Sequence, residues 1–157
     1  MKYMSFWKEM TQNKDYTYKG KKLYKGEGIE DIGEYHIKLI FVSSNSKYRQ
    51  GISFSMFMMK GFIKVDNETI KKGGMYLWED HSPKEIEFDV KIDSGALHII
   101  HFCDNTGTGS RVSGNGNFAM MKERISETRV RYYCNDIAPD DDFDDLIFEL
   151  EITPIYS

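Results

Sequence analysis

Six aspartates crowd the stretch 135–145, which reads Asn135-Asp136-Ile137-Ala138-Pro139-Asp140-Asp141-Asp142-Phe143-Asp144-Asp145. Ionised carboxylates held this close repel one another, so the loop is stable only if well solvated, partly protonated or holding a cation. Ca²⁺ suits it chemically, because that ion takes about six to eight oxygen ligands from carboxylates, carbonyls and amides. An EF-hand is the first pattern to test, since Asp140, Asp142, Asp144 and Glu151 fall at loop positions 1, 3, 5 and 12. It fails: the position that needs Gly for the sharp turn holds Asp145, and Leu146, Phe148, Leu150 and Ile152 recur with a period of two where a helix would begin. The plain alternative is a solubilising turn cluster, or carboxylates that cap loop amides.

Three other groupings have chemical potential. His98, His101, Cys103, Asp104 and Cys134 combine on paper into a Zn²⁺ site or a Cys/His nucleophilic pair, but no Cys-x-x-Cys or His-Glu-x-x-His spacing is present, and buried cysteines usually act as small hydrophobes. The glycine-rich run from Gly107 to Asn117 invites a phosphate-binding reading but lacks the Gly-Lys-Ser/Thr ending of a P-loop, so a surface loop is expected. Trp78, followed by Glu79, Asp80 and His81, ends an expected strand at a polar turn. A Trp ring beside carboxylates suits a sugar, the ring under a C–H face and the acids on hydroxyls, although such a ring more often fills a sandwich core. With Trp78 and Asp80, the residues Asp104, Asn105 and Asn135 complete the set of candidate ligand contacts. Catalysis by paired carboxylates needs one buried and one solvated acid; nothing in the sequence pairs them, and the chain is expected to be non-enzymatic.

The elements that must position these residues are strands. Apolar residues recur at every second position in Tyr35, Ile37, Leu39 and Phe41, in Ile52, Phe54, Met56 and Met58, and in Ile86, Phe88, Val90 and Ile92. The last run alternates with Glu85, Glu87, Asp89 and Lys91, so one of its faces is wet. Asp66-Asn67 turns a hairpin between 61–65 and 68–70, while 96–103 is apolar on both faces and belongs centrally in a sheet. Segments 128–134 and 146–152 read as strands joined by the acidic loop. Short helices are expected only over 118–128 and 4–10. The pattern predicts a single all-β domain over 1–157, an antiparallel β-sandwich of jelly-roll or lectin-like kind.

The pattern Asp140-x-Asp142-Phe143-Asp144-Asp145, running into a strand near the C-terminus, resembles the calcium loop of bacterial calcium-dependent fucose- and mannose-binding lectins. The resemblance implies a sandwich that forms a homodimer, and Ca²⁺ ions that contact sugar hydroxyls, with Asp136, Asp140, Asp142, Asp144 and Asp145 as metal ligands. Asp144 stands where that family has Asn, and Tyr156-Ser157 does not supply its C-terminal Gly carboxylate. The segments Leu77-Trp78-Glu79-Asp80-His81-Ser82-Pro83 and Tyr132-Tyr133-Cys134-Asn135-Asp136 are, with the acidic loop, also similar to small uncharacterised bacterial β-sandwich proteins.

Charge separates the remaining classes. Of 21 basic and 25 acidic side chains, all the basic ones precede residue 132, whereas the 26 residues after Arg131 contain eight acids. Net acidity, with no basic cluster beyond Lys19 to Lys25, disfavours nucleic acid, and no window approaches the apolar run of a membrane span. The opening residues lack a signal peptide's apolar core, and two cysteines suit a reducing compartment, so a cytoplasmic location is expected. The expected function is a lectin-like binding module whose Ca²⁺ site at 136–145 helps hold a carbohydrate or other small polar, polyhydroxy ligand. The alternative is an immunity- or inhibitor-like protein that sets its acidic C-terminal hairpin against a basic protein partner.

Overall fold

The computed structural model describes residues 7–11, 17–18, 20–113, 119–136 and 142–155. In chain order the strands are β1 (Trp7–Thr11), β2 (Thr17–Tyr18), β3 (Lys21–Lys22), β4 (Tyr24–Ile29), β5 (Gly33–Ser44), β6 (Arg49–Ser55), β7 (Lys60–Val65), β8 (Glu68–Ile70), β9 (Gly74–Trp78), β10 (Glu85–Ser94), β11 (Leu97–Asp104), β12 (Ala119–Arg124), β13 (Arg129–Asn135) and β14 (Leu146–Ile155). One turn of 3-10 helix, Glu79–His81, follows β9. Among the described residues no helix is long and apolar enough to cross a membrane.

The chain is all-β and antiparallel, as the period-two pattern requires. Where the sequence suggests two packed sheets, the hydrogen bonds join one 12-stranded sheet in the order β8-β7-β10-β5-β14-β13-β12-β4-β11-β6-β9, with β1 added to β4. The sheet curls into a nearly closed, barrel-like shape. Phe54 on β6 meets Phe88 on β10 edge to face, centroids 4.8 Å apart, although six strands separate them along the sheet. Curling lets one face bury Ile37, Leu39, Ile52, Ile63, Leu97, Leu150 and Ile152 together. The apolar run expected at 96–103 falls on β11, Leu97–Asp104, which lies centrally between β4 and β6.

Two helix expectations are corrected. Residues 119–124 form β12, laddered to β13 from Ala119↔Asn135 to Arg124↔Val130, and 7–11 form β1 on β4; residues 4–6 and 118 lie outside the described set. Met and Lys favour helix only weakly, and a neighbouring strand with unpaired edge groups outweighs that preference.

Registers gather the loops of interest at one end. Leu146 is opposite Ser44 and Cys134, Asp104 is opposite Arg49, and Gly51 is opposite Trp78. The starts of β6 and β14 and the ends of β5, β9, β11 and β13 therefore share a rim.

Candidate metal centre on the strand rim

The described ends of the β13–β14 connection, at 135–136 and 142–145, are tied to one another by hydrogen bonds. Phe143 occupies the left-handed region at φ 56°, a conformation that costs a non-glycine residue roughly 1–2 kcal/mol. Its ring is buried against Leu23 and Ala119, with Met121 and Tyr133 alongside, and full burial of such a ring is worth about 1.5–3 kcal/mol, enough to offset that cost. Asn135, itself buried, accepts the Phe143 N–H at 2.8 Å. Asp145 accepts the Asp136 N–H at 2.8 Å and donates its own N–H to the Cys134 carbonyl.

With the aromatic ring turned inward, the carboxylates on either side of it converge. One oxygen each of Asp142, Asp144 and Asp145 lie within 4.8 Å of one another. Asp142 is exposed, Asp144 half-buried and Asp145 buried. Asn45 donates to Asp144 Oδ2 at 2.8 Å, whereas Asp144 Oδ1 is buried with no hydrogen-bond partner. An unpartnered buried carboxylate oxygen is costly, and a cation is the partner that would satisfy it. These three residues can hold a metal ion.

The other sequence-expected ligands are placed differently. Asp136 is buried and receives Ser46 Oγ at 2.6 Å and Gln50 Nε2 at 3.0 Å on its Oδ2. Asp140 lies outside the described residues. Behind Asp136, His101 donates Nε2–H to Gln50 Oε1 at 2.6 Å. Burial pushes His101 down to about 4, against a weaker upward pull from Asp136, so the imidazole is neutral at pH 7 and buttresses the rim. Cys103 and Cys134 are both buried, and burial, then the Asp145 charge, raises the Cys134 thiol well above its usual range. Among the described residues, the Asp142–Asp144–Asp145 cluster is the group of three His, Cys, Asp or Glu side chains that brings one ligand atom each within 4.8 Å of the others.

The candidate ligand contacts reach the same rim but are largely engaged. Trp78 packs edge-on against Phe102 at 4.8 Å, and the Arg49 guanidinium lies over its ring at 4.1 Å while Nε meets both Asp80 oxygens at 2.8 Å. The Trp78 face expected to stack on a sugar is thus covered by Arg49. Asp104 receives the N–H groups of Thr106, Gly107 and Gly109, which holds its carboxyl below the usual range, the Gly109 bond most of all. The glycine-rich loop therefore spends its anion-binding amides on the chain's own carboxylate, and Asn105 sits half-buried inside it.

Asn45, Ser46 and Gln50, which tie Asp144 and Asp136 to the rim, were missed from sequence; the polar run Ser43-Ser44-Asn45-Ser46 between two apolar strands was the available signal. No protein-family model matches the chain, and a search of curated proteins returns no match.

Proposed function

We propose that the chain is a non-enzymatic binding module whose β13–β14 loop holds a divalent cation, with Ca²⁺ the ion best suited to an all-oxygen donor set. Support comes chiefly from the convergence of the Asp142, Asp144 and Asp145 carboxylates beside a buried Asp144 oxygen that lacks a hydrogen-bond donor. Asp142 is exposed, and its side of the cluster is where a sugar hydroxyl or other polyhydroxy ligand would reach the ion in a lectin-like site. In this reading the curled sheet serves as the jelly-roll-like frame. Asp80, Asp104 and Trp78 contribute rigidity to the rim, since each is already engaged.

Thermal melts in millimolar CaCl₂ and in excess EDTA test it. Ca²⁺ is expected to stabilise the fold by about 2.7 kcal/mol at a hundredfold excess over Kd, and Asp144→Asn to abolish the shift. Coincident melting curves would sink the cation reading. If Asp142→Asn with Asp144→Asn were then more stable than wild type in EDTA, and wild type bound a basic protein in a salt-sensitive manner, the acidic loop would be a protein-docking surface instead.

A further inference from the structure

β9 ends the hydrogen-bonded row, bonding β6 on one side and no described strand on the other. β8, which precedes it, bonds β7. The parity of the β6–β9 ladder shows which groups face the open side. Met56 N–H donates to Gly73 O at 2.9 Å, and bonded pairs in an antiparallel ladder recur at every second residue. Residues 73, 75 and 77 therefore bond β6, and Tyr76 and Trp78 aim their N–H and C=O outward, with the Gly74 C=O.

Exposed edges are normally blunted by charge, proline or a bulge, yet Gly74-Met75-Tyr76-Leu77-Trp78 contains neither proline nor charge. Its flanks are charged, and oppositely: Lys71-Lys72 precede it and Glu79-Asp80 follow it. Tyr76 is 46% exposed, and Met75 and Leu77 are only partly buried.

We propose that β9 is a self-complementary interface on which a second copy of this chain adds its own β9, antiparallel, about a two-fold axis at Tyr76. Tyr76 is the midpoint of the strand and an outward-facing residue, so the two Tyr76 exchange N–H···O=C bonds and each Trp78 N–H meets the partner's Gly74 C=O. The same dyad brings the Lys71-Lys72 flank of each copy to the end of the other copy's strand where Glu79-Asp80 begin the 3-10 turn. Met75 and Leu77 of the two copies then cover one another on the inner face. Arg111, stacked over Tyr76 at 3.7 Å, stays on the solvent side. A dyad that pairs basic with acidic flanks favours a second copy over an unrelated strand, because an isologous contact must complement itself.

Sedimentation velocity from micromolar to hundreds of micromolar chain, in EDTA so that the cation loop is empty, tests the proposal separately from the metal reading. A concentration-dependent dimer is expected. Lys72→Glu, at an exposed position, should weaken it by roughly tenfold or more, as should Tyr76→Pro, which deletes an outward N–H that β6 does not use; circular dichroism checks that both fold. A wild-type chain that stays monomeric throughout overturns the proposal. So does a dimer that both folded variants leave unchanged, or an edge that pairs only with strands of other proteins.

Discussion

His36 shows how a single side chain acquires a pH-dependent contribution that its neighbours in sequence do not reveal. On β5 it faces β10, with Nδ1 at 2.7 Å from Asp89 and Nε2 at 3.0 Å from Glu87. The hydrogen bond to Glu87, then that to Asp89, raises its pKa above 6.5, and His36 in turn lowers Glu87. A group with a raised folded-state pKa adds stability that is complete below the unfolded value and disappears as pH rises through the folded one. Wild type is therefore expected to lose stability relative to His36→Gln as pH is raised from about 6 upward, a difference read from paired urea melts. Parallel pH profiles for the two proteins would remove His36 from the account. Alternation in 85–92 shows that Glu87 and Asp89 share a wet face, but pairing them with His36 needs the β5–β10 register Asp89↔His36.

At the scale of elements, β9, β6 and β11 fit closely on the outer face. Phe102 lies over Gly51, where a methyl group would collide with its ring and approach Leu77 O at 2.8 Å. Gly51→Ala is expected to destabilise the protein by about 1–3 kcal/mol through overpacking and to disturb the Trp78–Phe102 contact, visible as a shift in Trp78 emission in a Trp7→Phe background. Unchanged stability would mean that Phe102 swings away freely. Strands such as 85–94 were legible because each buries one face, and their alternation survives in the burial pattern. β12 was not legible, because Met120, Met121 and Lys122 suit helix or strand, and only the partner β13 decides between them.

Across the whole molecule, charge that is segregated along the chain becomes mixed in space. Arg129 pairs with Glu149 and Glu151, and Arg131 with Glu149, across β13 and β14, so two of the eight C-terminal acids are neutralised by strand pairing. Inside the curled sheet Glu27, wholly buried, binds Lys122 Nζ at 2.7 Å and accepts Tyr132 Oη at 3.0 Å, joining β4, β12 and β13. Removing one charge from such a pair leaves the other buried, at a cost of about 3–5 kcal/mol. Lys122→Met is therefore expected to be strongly destabilising, and adding Glu27→Gln to recover part of the loss; additive effects in denaturant melts would show that the two residues act separately. Composition and period-two alternation determined an all-β antiparallel chain with an acid-rich loop between its last two strands, because strand alternation and ligating residue types are local properties. The tertiary structure decided that twelve of the strands form one curled sheet, that Phe143 turns inward so that Asp142, Asp144 and Asp145 converge, that Asp104 and Trp78 are already engaged, and that among the described residues β9 has a strand neighbour on one side alone. Each depends on which distant segments become neighbours, and that follows from register and packing between residues far apart in the chain.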